Sequence, residues 1–336
     1  MPASTLSPHP ADAPDSLSPT PASRGLQRFA WFVLAYNVLV VLWGSVVRAT
    51  GSGGGCGDHW PLCNGEVLPR LARFHTLVEF THRLMSGAAL VFIAVLLFTT
   101  WRATCRGHLA RVAAAASMVL VLNEALLGAL LVLLQLVEAN ASTGRAIYLS
   151  FHFANTLLLL GALALTAEFL ARPQQRSRAM WRHGWLPASG LGLAATLVVG
   201  VSGSLAALGD TLFPATSLGS ALRQDFSPAA ALLLRLRWIH PASAVIAGLF
   251  IARLLWDVFH KPIRSARVQR LALAVLVTLL SQYGLGVLDV ILLAPTWLQV
   301  VHLLGADCFW ISLVLLTAAV CIGPASTLTQ KAARER

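Results

Sequence analysis

Four histidines, His82, His152, His240 and His302, stand inside long apolar stretches of the chain, one in each of the second, fourth, sixth and eighth such stretches. Each lies a turn or two from the beginning of its stretch. An ionisable side chain within a membrane costs a few kcal/mol on insertion scales and marks a functional position by default. A single such histidine is more commonly a polar residue hydrogen-bonded to a neighbouring helix. Four at matched depth, in two pairs, weigh against that reading. Two neutral imidazoles from facing helices, with no cysteine or second carboxylate beside each pair, are what a bis-histidine heme iron asks of a protein. A non-heme metal would need a third or fourth ligand near each pair.

Glu79 precedes His82 by three residues, so both occupy one helix face. The offset of 158 residues that carries His82 onto His240 carries Glu79 onto Arg237. The two sites are therefore alike in ligands and opposite in charge beside the ligand. The acid marks the half where protons move, and Arg237 suits a heme held permanently by its propionates. The competing reading is an ion pair of Glu79 with Arg83 or Arg48. Guanidinium binds carboxylate as a bidentate fork, so Arg48, Arg145 and Arg235 are further candidate propionate partners, whereas Arg70, Arg73 and Arg223 read as solvated loop residues. Glu124, deep in the third stretch, requires a partner or a proton. Its repeat equivalent is Gln282, each standing shortly before a Leu-Gly pair. Asp289 and Asp307 receive no role.

The elements that position these residues follow from composition. The chain has 336 residues, 57% hydrophobic and 12% charged, with mean hydropathy +0.71. Soluble domains carry about 25% charged residues. This balance excludes a soluble enzyme, a nucleic-acid binder and a secreted disulfide scaffold. Eight apolar segments, at about 29–47, 76–100, 112–136, 147–170, 185–206, 236–256, 271–293 and 298–322, predict an all-α integral membrane protein of eight transmembrane helices. Most of the 25 Lys and Arg residues fall in loops on the side of the two termini. The positive-inside rule therefore puts both ends in the cytoplasm and explains much of the net charge of +11 without nucleic acid. The offset also carries Glu124 onto Gln282, and close variants of it carry Gly44-Ser45 onto Gly203-Ser204 and His152 onto His302. The expectation is two tandem four-helix bundles related by a parallel repeat. The expected organisation is a disordered cytoplasmic tail (1–24, with six of the sixteen prolines), an N-terminal half (25–172), a cytoplasmic linker (173–184), a C-terminal half (185–323) and a cytoplasmic tail (324–336).

Cys56 and Cys63 bracket a short Gly- and Pro-containing loop on the outer side, where conditions are oxidising in bacteria, and a disulfide is expected there rather than two free thiols. A zinc site is disfavoured by the spacing. Cys308 and Cys321, in the last helix, read as packing residues.

Several runs together resemble the heme A synthase family of bacteria and mitochondria over about 25–322: Gly44-Ser-Val-Val-Arg48-Ala-Thr-Gly51, Cys56 with Trp60-Pro-Leu-Cys63-Asn-Gly65, Glu79-x-x-His82-Arg83, His152, Trp238-Ile-His240-Pro241 and His302. The resemblance implies an enzyme that oxidises a methyl group of heme O to a formyl group by successive hydroxylation, giving heme A for cytochrome oxidase. It implies substrate heme at His82 and His152, resident heme b at His240 and His302, a catalytic role for Glu79, and the Cys56–Cys63 pair as a family feature. Two departures stand out: Glu124 occupies a position where the family often has Gln, and the outer loop at 207–235 lacks a second cysteine pair. A bacterial inner-membrane location and delivery of heme O by the membrane heme O synthase are implied as well; the electron acceptor and homo-oligomerisation are left open. The principal alternative is a quinone-linked diheme b-type electron carrier, which would use the same four histidines, although the lack of a Glu79 counterpart argues against it. A transporter would want broken helices and polar residues at mid-depth.

Overall fold

The computed structural model describes residues 22–69, 73–172, 180–181, 183–261 and 265–323. Among these residues ten α-helices follow in chain order: α1 (Arg24–Ala49), α2 (Phe74–Ala103), α3 (Leu109–Leu133), α4 (Thr143–Leu170), α5 (Leu186–Leu212), α6 (Leu218–Asp225), α7 (Leu232–Arg237), α8 (Ile239–His260), α9 (Ala266–Ile291) and α10 (Thr296–Cys321). Among the described residues eight segments are long and apolar enough to cross a membrane, with α7 and α8 together forming the sixth. At 1.5 Å per residue each exceeds the roughly 30 Å of hydrocarbon it must span. Among the described residues the remaining regular pairing is a two-residue strand couple, Met180–Trp181 with Ile322–Gly323.

Local chemistry sets the helix ends. Ser23, Ser142 and Ser265 accept hydrogen bonds from backbone N–H groups of the first turns of α1, α4 and α9, satisfying donors that a helix start leaves orphaned. α3 and α9 stop in the same way. Gln135 and Leu293 take left-handed backbone at φ 53° and 61°. The following residues donate back to Leu131 and Asp289, each at 2.8 Å, the six-to-one bond of a Schellman ending. Within the sixth span, expected at 236–256, the helix breaks at Trp238. Pro241 sits in the first turn of α8, where its missing N–H is tolerated, but it could not have donated to the Arg237 carbonyl of a continuous helix.

α1 packs on α2, α2 on α3, α3 on α4, and α4 returns to α1; α5, α8, α9 and α10 repeat that circuit, and α4 and α10 meet between the two groups. From Asn155 to Leu170, α4 is buried except at Leu158 and Leu165. The core around Leu160, Leu163, Ile93 and Leu96 thus lies at the end of the bundle away from the histidines. At that end the buried carboxylate of Glu168 pairs with Arg172 (3.1 Å) and with Arg267 of α9.

The expected tail boundary shifts: Ala22 is buried, its N–H donates to the Leu170 carbonyl (3.3 Å), and α1 begins at Arg24. The rest of the expected tails (1–21 and 324–336), linker residues 173–179 and 182, and Arg70 lie outside the described residues. Cys321 is buried as expected, but Cys308 is exposed and does not pack inside the chain.

Candidate functional site

The four histidines fall on α2, α4, α8 and α10, about two turns into their spans. Because successive spans alternate in direction, these four run the same way and bring the imidazoles to one end of the bundle. Each ring lies against a glycine of the neighbouring helix. A Cβ added to Gly44 of α1 would stand 3.1 Å from Cε1 of His82, and one on Gly203 of α5 2.8 Å from Cε1 of His240. The corresponding distances are 3.7 Å from Gly128 of α3 to His152 and 3.5 Å from Gly286 of α9 to His302. These glycines are cradles for the rings rather than helix-contact points alone.

His240 and His302 face each other with ring centroids 6.3 Å apart and planes at 84°. Nδ1 of His240 lies 3.1 Å from the Val199 carbonyl and 3.4 Å from Ser202 Oγ, which also contacts Ser243 Oγ at 3.0 Å. A carbonyl acceptor requires the proton on Nδ1 and leaves the Nε2 lone pair free to bind a metal. Nδ1 of His82 and Nδ1 of His152 are each buried without a hydrogen-bond partner. Glu124 Oε1 is 3.4 Å from Nδ1 of His152. Glu124 also accepts from Asn155 Nδ2 at 2.5 Å and from the Thr156 hydroxyl, and Asn123 donates to Asn155 at 2.8 Å. The mid-membrane carboxylate thus has its partners on α4.

Glu79, 3% exposed, is held from two sides. Its Oε2 accepts from the Cys56 N–H at 2.8 Å, and its Oε1 from Arg83 Nε and Nη2 at 3.1 and 2.5 Å. Arg83 in turn donates to the carbonyls of His59 and Leu62 at 2.7 and 2.6 Å. Cys56 and Cys63 are disulfide-bonded, with Cα atoms 4.4 Å apart. The disulfide loop therefore sits on the Glu79–Arg83 pair, the pairing with Arg83 that spacing had offered as the competing reading of Glu79.

The arginines offered as propionate partners are engaged by protein groups. Arg237 pairs with Asp210 (3.1 Å) and Asp225 (3.4 Å) and donates to the Gly209 and Phe213 carbonyls. Burial pushes the Asp225 carboxyl above its ordinary range, against the opposing pull of Arg237. Arg145 donates to the Glu138 and Asn140 carbonyls. Arg48, on α1, reaches Ala207 and Thr211 of α5 at 2.7 Å each and Gln299 of α10 at 2.8 Å. It joins one helix group to the other.

Sequence reasoning missed Val199 and Ser202 behind His240, and Asp210 and Asp225 around Arg237. It also missed Asn155 and Thr156, for which a signal existed: two polar residues follow His152 at three- and four-residue spacing inside an otherwise apolar helix.

Fold and site together define a multi-pass helical membrane protein with four half-buried histidines at one end of its bundle. The family described as Cytochrome oxidase assembly protein, COX15-CtaA, matches residues 27–314, and the chain belongs to it. A Heme A synthase of Bacillus mycoides is 29% identical over 322 residues, covering 91% of this chain and 97% of that protein. A Protoheme IX farnesyltransferase of Thermus thermophilus is 43% identical over 302 residues, covering 89% of this chain and 49% of that protein. The chain thus spans about half the length of the Thermus relatives it matches.

Proposed function

We propose that the chain oxidises a methyl group of heme O to a formyl group, by successive hydroxylation, giving heme A for cytochrome oxidase. The substrate heme lies between His82 and His152, and a resident heme b between His240 and His302. The observation that carries this reading is the second pair. A metal held between two rings by imidazole bonds of about 2 Å, with each ring centre about 1 Å behind its nitrogen, would need the ring centres about 6 Å apart. The rings of His240 and His302 stand 6.3 Å apart. Among the described residues no group of three or more His, Cys, Asp or Glu side chains gathers about a metal position. Two imidazoles per site match an iron whose other ligands come from a porphyrin.

When bound, the hemes supply the redox chemistry and the methyl group that is oxidised. The chain's own residues supply the rest. His240 is oriented by the Val199 carbonyl, and the glycine cradles let the rings of both pairs approach their helices. Glu79 is the group that takes up and passes protons in the first half, its two oxygens fixed by Cys56 N–H and Arg83. The asymmetry with Arg237 supports this division of labour. The matched glycine–histidine contacts and the identical endings of α3 and α9 support descent of the halves from one duplicated four-helix unit. Both termini lie in the cytoplasm, and the four rings in the outer half of the bacterial inner membrane.

The name of the Thermus relatives favours a second reading, prenyl transfer to heme. Because the shared stretch is about half of those proteins, we assign the transferase to their other half and heme O oxidation to the shared one. Delivery of heme O from such a transferase to this chain follows naturally. The test is to express the chain with and without a heme O source and to extract the pigment. A formyl-bearing heme that appears only with heme O supports the reading, and Glu79→Gln should retain heme while losing that product. A farnesylated product made from protoheme would instead select the transferase, and two permanent b-type hemes with no product the electron carrier.

A further inference from the structure

We propose that Glu124 is a positioning residue that gives His152 imidazolate character, so that the iron site of the first half holds a lower reduction potential than that of the second. The inference rests on the assignment of His152 as an iron ligand. Its starting point is a second difference between the halves, beside that of Glu79 and Arg237. Nδ1 of His152 is buried and has no hydrogen-bond partner, and the Glu124 carboxylate stands 3.4 Å away. At the equivalent place α9 carries Gln282, an uncharged amide. In the orientation that satisfies its neighbours it donates to the His302 carbonyl (3.1 Å) and accepts from the Ala306 N–H (3.2 Å). The ring of His240, the other member of that pair, has a neutral carbonyl behind it.

A carboxylate behind a ligating imidazole draws the Nδ1 proton toward itself and makes the ring a stronger donor, whereas an amide or carbonyl acceptor does so less. A stronger donor stabilises the oxidised iron, and axial ligation and hydrogen bonding beyond the ligand are the levers a protein has on heme potential. Glu124 is fixed for this task. Asn155 Nδ2 holds Oε2 at 2.5 Å, and the Thr156 hydroxyl donates to Oε1, the same oxygen that faces His152. Thr156 therefore competes with the histidine for that oxygen and moderates its effect. With both sites filled, the second would be the better electron acceptor of the two.

The experiment is a potentiometric titration of the purified protein, produced with a heme O source and carrying its hemes, with the two heme components read by their absorbance bands. Glu124→Gln should raise the reduced-to-oxidised ratio of one component about tenfold at a fixed potential, a shift of about 59 mV for one electron, and leave the other in place. Thr156→Val, which frees Oε1 for the ring, should shift the same component the opposite way. Unchanged potentials in both variants overturn the proposal while leaving the ligand assignment intact. Loss of heme from Glu124→Gln with no shift in Thr156→Val also overturns it, making Glu124 a support for the ring's position alone. His152→Ala with unaltered heme content and spectrum would instead overturn the ligand assignment beneath it.

Discussion

Replacing Gly203 by alanine puts a methyl group 2.8 Å from Cε1 of His240, 3.1 Å from Nδ1 and 3.4 Å from Nε2. Ordinary contact begins near 3.4 Å, so the ring must retreat by about 0.6 Å or the helices must part, an overpacking of the kind that costs about 1–3 kcal/mol. The ring is not free to retreat, because Nδ1 is tied to the Val199 carbonyl at 3.1 Å and Ser202 stands beside it. Against this, alanine inside a helix is favoured over glycine by about 1 kcal/mol. At Gly286 the same substitution meets His302 at 3.5 Å, and at Gly128 it meets His152 at 3.7 Å, both ordinary contacts. Gly286→Ala and Gly128→Ala should therefore keep their heme and gain slightly in thermal stability. Gly203→Ala should lose heme from the second half, and Gly44→Ala, at 3.1 Å from His82, should fall between. The assay is heme content per protein together with thermal unfolding in detergent for the four variants side by side. Retention of full heme by Gly203→Ala, or equal damage at Gly286, would refute the view that these glycines are cradles graded by their distance from the rings.

Arg48→Ala removes three hydrogen bonds by which α1 grips α5 and α10. With charge-assisted bonds worth roughly 1.5–3 kcal/mol each, and water replacing part of them, a loss of about 3 kcal/mol is expected in unfolding experiments. Cys56→Ser opens the loop closed at Cys63 and should lower stability by about 2.5 kcal/mol on the loop-entropy estimate; because Arg83 donates to the His59 and Leu62 carbonyls inside that loop, protease sensitivity between 57 and 62 should rise with it. His108, just before α3, accepts the Ala110 N–H at 3.2 Å through Nδ1, and burial, then Arg111, lowers its pKa. The cap requires the neutral ring, so its contribution, about 1 kcal/mol for a typical cap, is present above the ordinary histidine range and lost as pH falls through the lowered folded value. His108→Ala should flatten that part of the pH–stability profile.

The spans and the four histidines within them are legible in the sequence for one physical reason: in hydrocarbon almost every side chain is apolar, so a block of about 20 such residues declares a helix and any ionisable exception marks a candidate site. The Glu79–Arg83 pair was legible because its four-residue spacing places both groups on one helix face. The partners of Arg237 were not. Asp210 and Asp225 reach it from the end of α5 and from α6, and no periodicity within one helix reports which turn of another will face it. A cation without a local partner looks free in one dimension, which is why these arginines read as propionate partners in the sequence. The break at Trp238 was hidden for a related reason, since a proline in the sixth span reads equally as a kink or as the first turn of a new helix, and only the end of α7 at Arg237 decides between them. Glu124 lies between these cases. Its need for a partner could be read from its depth, but His152, Asn155 and Thr156 become that partner only because α3 runs along α4. Polar residues clustered on one face of an apolar helix therefore mark where a neighbouring helix brings charge, and by that rule the cluster of His152, Asn155 and Thr156 on α4 already points to Glu124, the one carboxylate within the span before it.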